Sequence, residues 1–378
     1  MPLRALLKRK STKIVLAILV LLVGAYWFLS PAPVPFRGSG EFMNAVVYDR
    51  YGTADVLRVE RVEKPLPNDN QVLIKVRAAA ANPLDWHYMR GSPYIVRVFG
   101  AGLLKPKVGR LGADVSGEVA AVGKDVTQFK PGDEVFGVGS GTFAEYVRAS
   151  QKRIALKPAN VSFDQAAGVP VAAITALQGL RDKGKVHAGQ KILINGASGG
   201  VGTFAVQIAK AFGAEVTGVC STRNVELVRS LGADHVIDYT KDDFTKTREQ
   251  YDVIYDTVGN RSMRELRRAL IPKGVAVMIG GGAPGTGNWV GALVQPVKAL
   301  LYSPFVSQKF VFFVADVTRE DLSVIGELMT AGKVRPIVDR TYPLSQTADA
   351  IRYLEQGHAR GKVVIAVADG DKTHKAMK

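Results

Sequence analysis

The sequence predicts an α/β protein: a partly closed β-barrel domain plus a doubly wound parallel-sheet domain, preceded by one N-terminal hydrophobic helix. Three observations predict it. From Met43 to about Gly168, short strand-like runs are separated by Pro, Gly and Asn-Asp signals, the pattern of a small barrel. From about Ala172, strands alternate with helical stretches, which implies a parallel sheet covered on both faces. Ahead of both, residues 14–29 form an apolar run without a charge. A length of 378 residues accommodates two domains, and 47% apolar residues supply the core that a disordered chain lacks.

In chain order, the first element is IVLAILVLLVGAYWFL, residues 14–29. Helix of this length spans about 24 Å, slightly short of a roughly 30 Å hydrocarbon core. Thr12 and Ser30 extend it, and Tyr26-Trp27 suit a membrane interface. Bulky aromatics just before Ser30-Pro31-Ala32 make a poor cleavage site, so residues 1–30 read as an uncleaved single-pass anchor rather than a signal peptide. PAPVPFRGSGEF, residues 31–42, reads as a Pro/Gly linker, with the folded part beginning at Met43. The barrel domain, 43–168, takes the strands AVVYDRYG, VLRVERVE, QVLIKVRA, DVSGEVAAVG, DEVFGVG and FAEYV.

The second domain, 169–316, opens with the strand KILI, a glycine turn and the helix VGTFAVQIAKAF. In that helix Val201, Phe204, Ala205, Ile208, Ala209 and Phe212 recur at helical spacing. EVTGV, HVI, DVIY, GVAVMI and FVFFV follow as strands. Residues 317–368 read as a return to the barrel, and the polar residues 369–378 as a loose tail.

The formal net charge is +16, and Arg4, Lys8, Arg9, Lys10 and Lys13 all precede the apolar run. Zinc-finger spacing, an RNA-binding aromatic signature and long basic blocks beyond the N-terminus are missing, so the surface reads as solvated and no nucleic acid is expected as partner. With Cys220 the single cysteine, an intrachain disulfide and a four-cysteine zinc site are both excluded.

The glycine turn carries the first chemistry. Gly196, Gly199 and Gly202 lie three apart between a strand and a helix. Glycines there let the backbone turn sharply and approach a pyrophosphate, while the helix N-terminus offers free N–H groups. The spacing departs from the usual G-x-G-x-x-G, but the strand before and the amphipathic helix after it point to dinucleotide binding. An acid at the end of the next strand would bind the ribose 2′-hydroxyl of NADH. This chain instead has Cys220-Ser221-Thr222-Arg223, whose hydroxyls and guanidinium suit the 2′-phosphate of NADPH.

The motifs NPLDW (82–86), GADVSGEVAAVG (112–123), PGDEVFG (131–137), GTFAEYV (141–147), GASGGVG (196–202) and GHARGKVV (357–364) stand in an order that resembles the medium-chain dehydrogenase/reductase superfamily, in its zinc-independent quinone oxidoreductase branch. CSTRN with the late GHARGK is also similar to the chloroplast-envelope quinone oxidoreductase-like proteins. The resemblance covers nearly everything after Met43. It implies a GroES-like catalytic domain and a Rossmann NADP-binding domain. Two zinc-ligand positions of the metal-dependent relatives match Asn82 and Ala113, neither of them the required Cys or His, so the resemblance implies no metal site and no zinc.

The resemblance also implies the contacts. Asn82 lies beside the nicotinamide end, and Thr175 meets the cofactor at the domain junction. Gly196, Ser198, Gly199, Gly200, Val201 and Gly202 hold the pyrophosphate. Ser221, Arg223 and Tyr239 surround the 2′-phosphate; Val258 and Gly280 line the nicotinamide ribose and ring; Lys362 returns from the barrel to the cofactor. His87 is the candidate for proton chemistry, with Asp85 beside it either taking part or fixing the loop.

The expected reaction is hydride transfer from NADPH to a small lipophilic quinone, enone or enal. The alternatives are a non-catalytic NADPH-binding redox sensor or docking protein, and an alcohol dehydrogenase of the same superfamily. The apolar stretch 289–313 suits a lid, a homodimer surface or a second membrane contact alike. Charge bias around residues 14–29 sends the catalytic domain across the membrane, whereas the cytosolic NADPH supply keeps it inside; the reading leans to the cytoplasmic face.

Overall fold

The computed structural model describes residues 37–94, 96–279, 299 and 306–367. The expected anchor (14–29), residues 31–36, Gly280, most of the apolar stretch 289–313 and the tail from Asp369 lie outside the described residues. Among the described residues no helix is long and apolar enough to cross a membrane.

Strands β1 (Gly38–Val47) and β2 (Arg58–Pro65) form an antiparallel ribbon. β1 starts at Gly38, earlier than the expected boundary at Met43. Gly38 pairs with Pro65 and Phe42 with Glu63 across an irregular register, and the Glu63 carboxylate accepts from the Gly40 N–H at 3.0 Å. The glycine-rich end of the supposed linker is therefore strand.

The barrel sheet runs β14 (Val338–Pro343), β15 (Lys362–Ala366), β3 (Gln71–Ala81), β4 (Asp114–Val122), β5 (Glu134–Val138) and β7 (Ile154–Leu156), with β6 (Tyr146–Ser150) also on β3. The return segment thus joins the barrel, Val363–Ala366 pairing with Ala81–Ala78. Ala79 and Ala81 face the barrel core, whereas Ala78 and Ala80 face α2 (Phe163–Ala167). Four small residues in a row let both layers close on one strand. Helix α1 (Pro83–Arg90) follows β3 directly; Pro83 takes its first turn, and the Asp85 carboxylate reaches back to accept from the Asn82 N–H.

The second sheet is parallel, in the order β10 (His235–Asp238), β9 (Glu215–Cys220), β8 (Lys191–Asn195), β11 (Tyr251–Asp256), β12 (Leu270–Met278) and β13 (Lys309–Phe312). Helices α3 (Pro170–Gln178), α4 (Gly200–Ala211) and α7 (Arg319–Thr330) bury one face, with Ile192, Ile194, Phe204 and Ile325 fully enclosed. On the other face α6 (Met263–Ala269) covers Leu193, Ile254 and Ala276. Helix α5 (Val225–Ser230) follows β9, and α8 (Thr347–Glu355) follows β14. The strand order reverses between β8 and β11, which opens a crevice at their carboxyl ends.

Candidate active site

The glycine turn fills the first βα connection of that crevice. Gly196 has φ +84°, and a Cβ there would run into Thr257 Oγ1 and lie 2.8 Å from Val258 Cγ2. A Cβ on Gly202 would strike the Gly196 carbonyl. Both positions therefore require glycine. The Ser198 carbonyl accepts from the Gly361 N–H at 3.0 Å and its hydroxyl from Asn224 Nδ2 at 3.0 Å. Gly199 forms a parallel bridge with Gly361. Gly200 and Val201 open α4, and the Lys362 stem lies against Gly200. The free N–H groups of a helix end thus face a groove bordered by the return segment, a cradle that suits a pyrophosphate.

At the outer end, Asn224 is buried and bonds both Ser198 and Ser221 hydroxyls, at 3.0 and 3.2 Å. Its own Oδ1 is buried without a partner among the described residues. Arg223 donates to the His358 carbonyl at 2.8 Å, on the exposed surface. Tyr239 stands 53% exposed just past β10. The Tyr239 N–H donates to the Cys220 carbonyl at 3.0 Å, which sets it beside the segment of Ser221 and Arg223. Sequence reasoning missed Asp238. The acid sought at the end of β9 is absent there, but the β9–β10 register brings Asp238 alongside Cys220. Thr222 and Thr240 donate hydroxyls to it at 2.6 and 2.8 Å, and the Thr222 bond, foremost, holds its pKa below the ordinary range. Only the strand pairing could have revealed it. Asn224 was visible in CSTRN, yet nothing local marks it as the tie between two serines.

At the inner end, Thr175 is buried; its hydroxyl donates to the Val171 carbonyl at 2.6 Å and its carbonyl accepts from the Tyr255 hydroxyl at 2.8 Å. Val258 is 43% exposed beside Gly196, and Asp256 fixes its N–H at 3.0 Å. Past them lies a buried polar cluster. Lys362 Nζ donates to Asn82 Oδ1 at 2.5 Å and to Asp114 Oδ2 at 3.2 Å. Asn82 Nδ2 donates to the same Asp114 oxygen at 2.9 Å, and Asp114 Oδ1 accepts from the Val171 N–H at 2.9 Å. Asp85 accepts from the N–H groups of Asn82 and Gly112 at 2.7 and 3.0 Å, which locks α1 to the strand β4 approach. Burial pushes the Asp85 pKa up to about 7, against the pull of those two N–H groups.

His87 stands apart: no hydrogen bond links it to the cluster among the described residues. Its Nδ1 lies 2.7 Å from the Ser92 carbonyl, which assigns the proton to Nδ1 and leaves Nε2 an acceptor. Burial lowers its pKa, which favours the neutral ring. Of the expected contacts, Lys362 differs most: its stem passes the pyrophosphate groove but its ammonium is committed to Asn82 and Asp114.

The donors do not fit zinc. Position 113 is alanine, position 82 offers a neutral carboxamide, and the Lys362 ammonium stands where a cation would compete for Asn82 and Asp114. Among the described residues, no group of three or more His, Cys, Asp or Glu could hold a metal ion.

Two family models match: an alcohol dehydrogenase GroES-like domain over residues 68–159 and a zinc-binding dehydrogenase over residues 231–365. A mouse mitochondrial NAD(P)H oxidoreductase, RTN4IP1, is 37% identical, over 89% of this chain and 93% of its own length. An Arabidopsis thaliana chloroplastic NADPH-dependent alkenal/one oxidoreductase is 38% identical, over 85% of this chain and 79% of its own. The solved quinone oxidoreductase from Coxiella burnetii superposes with a TM-score of 0.75 at 33% identity, covering 87% of this chain and all of that one.

Proposed function

We propose, for a chain that belongs to the quinone oxidoreductase-like part of the medium-chain dehydrogenase/reductase superfamily, that it reduces lipophilic quinones or α,β-unsaturated carbonyls with NADPH and without zinc. The observation that supports this reading is the inner end of the crevice, where Lys362, Asn82 and Asp114 form a buried ammonium–carboxamide–carboxylate cluster that offers no His or Cys to a metal. When bound, NADPH supplies the hydride. The chain's own residues bind and orient. The α4 N-terminus and the Gly196–Gly202 turn hold the pyrophosphate, Ser221 and Arg223 take the 2′-phosphate, and Val258 lines the inner ribose. Acceptors of this class are already electrophilic and delocalise the incoming charge, so no Lewis acid is required.

An enone also needs a proton on carbon. His87 serves it through Nε2: that atom takes a proton from solvent and passes it to the reduced substrate, Nδ1 staying on the Ser92 carbonyl throughout. The lowered pKa makes the transient imidazolium a stronger acid than an ordinary histidine's. A hydroquinone anion takes its proton from water instead. Residues 14–29 anchor the chain in a membrane, with the reductase on the cytoplasmic face; the support is the uncharged apolar run and the cytosolic NADPH supply.

The test follows NADPH oxidation by the purified full chain against a panel of enones, enals and quinones. Turnover is expected with both classes, and His87→Ala lowers it more for enones. NADPH binding without oxidation by any acceptor overturns the enzymatic reading in favour of a sensor.

A further inference from the structure

A loop beside the candidate site carries exposed apolar and basic residues together. Between Trp86 and Ala113 the chain has no Asp or Glu, but has Arg90, Arg97, Lys105, Lys107 and Arg110. At the tip of this segment Leu103 is 63% exposed and Leu104 88%, with Val108 at 47% beyond them. Lys105 and Lys107 are exposed as well, and neither has an ion-pair partner among the described residues.

The tip is held firmly from below. The Lys107 N–H donates to the Ala101 carbonyl at 2.6 Å, closing the loop at its base. Tyr51 donates its hydroxyl to the Gly102 carbonyl, and a Cβ on Gly102, at φ +110°, would run into the Lys105 carbonyl. Ala101 is buried, and the far side is sewn to the residue just past β1 by the Tyr48 N–H on the Gly109 carbonyl at 2.9 Å. Arg97 is clamped between the rings of Tyr51 and Tyr94 and bonds the Gly91 carbonyl, while Arg90 pairs with Glu355. Those two cations are spent inside the protein; Lys105 and Lys107 are not. A loop tied down at its base, with two leucines at its apex and beside them two lysines that have no ion-pair partner among the described residues, exposes apolar surface already fixed in shape.

We propose that the loop Ala101–Lys107 docks on an anionic lipid surface, its leucines entering the headgroup boundary and its lysines meeting lipid phosphates. Charge complementarity selects this occupant. Two copies of an acid-free segment would repel each other, whereas an anionic bilayer accommodates both the leucines and the lysines. The docking places the active site at the membrane. The segment leaves α1, where His87 bonds Ser92, and rejoins the site at Gly112, whose N–H is held by Asp85. The contact rests on neither the reductase reading nor the N-terminal anchor.

The test uses the full chain with Val108→Cys carrying an environment-sensitive fluorophore. Cys220, the single native cysteine, is buried and its thiol is pushed up to about 11, so the label goes to position 108. The chain is mixed with phosphatidylcholine–phosphatidylserine vesicles containing nitroxide-labelled lipid. Quenching of the label is expected, weaker in phosphatidylcholine alone. It should fall roughly tenfold in apparent affinity for Leu103→Ser/Leu104→Ser, with the unfolding midpoint unchanged. A chain that co-floats with vesicles while its label stays unquenched overturns the loop contact and leaves the anchor standing. A chain that does not float overturns both. A label that responds to protein concentration without vesicles overturns the lipid in favour of self-association.

Discussion

The two ends of the crevice solve the problem of polar residues in opposite ways. At the inner end Asn82, Asp85, Asp114 and Lys362 are all buried, and each spends its polar atoms on another part of the protein. At the outer end, the buried Asn224 apart, Arg223 and Tyr239 are solvated, and Asp238 is satisfied by two surface hydroxyls. A buried charge must find its partner when the chain folds, whereas an exposed one can wait for a ligand. Defects at the inner end should therefore appear as lost stability, and defects at the outer end as altered selectivity.

The sharpest way to break this comparison is Asp114→Ala. It leaves the Lys362 ammonium buried without a carboxylate and the Val171 N–H without its acceptor. A loss of about 3–5 kcal/mol is expected in chemical denaturation; a loss near zero would mean that water reaches the cluster.

Asp85 gives a smaller effect with a pH signature. Its pKa rises from 3.8 unfolded to about 7 folded, so between these values the folded chain keeps a proton that the unfolded chain has released. Stability present at the acid end is then lost as pH rises through about 7. Asp85→Asn should flatten that slope, and should cost about 1–3 kcal/mol at low pH because one N–H loses its acceptor. Unfolding curves across the window that keep the same slope in both proteins would put the titration elsewhere.

Outer-end substitution is milder. Arg223→Ala should leave folding within about 0.5 kcal/mol of the original. The preference for NADPH over NADH should drop about tenfold, the low end for a charge-assisted bond because the site is exposed. Paired dissociation constants check it, and an unchanged ratio would assign the 2′-phosphate to other residues. The smallest expected effect is none at all: prolonged chelation should leave the NADPH oxidation rate unchanged. A rate that collapses and is restored by added zinc would overturn the donor argument.

What the sequence disclosed follows the same division. The glycine turn, the strand before it and the helix after it are contiguous, so spacing alone located them. Asn82 and Lys362 could be named by resemblance, but not their joint partner. Asp114 reaches Asn82 and Lys362 only after β3, β4 and β15 have paired, and pairing of that range leaves no local pattern. Asp238 escaped for the same reason. The boundary at Met43 failed because GSGEF carries linker composition, while its glycines are accommodated in a paired strand.

The bond from Gly361 to Ser198 has a consequence for the order in which the protein is made. The turn at residues 196–202 leaves the ribosome long before residues 357–362, which border it, and β3 waits as long for β15. A nascent chain that has not reached Gly361 has the turn but not the wall opposite it. Ligand binding stabilises only a state that can bind. NADPH bound before then lacks that wall, and the half-made barrel edge stays open until β15 arrives.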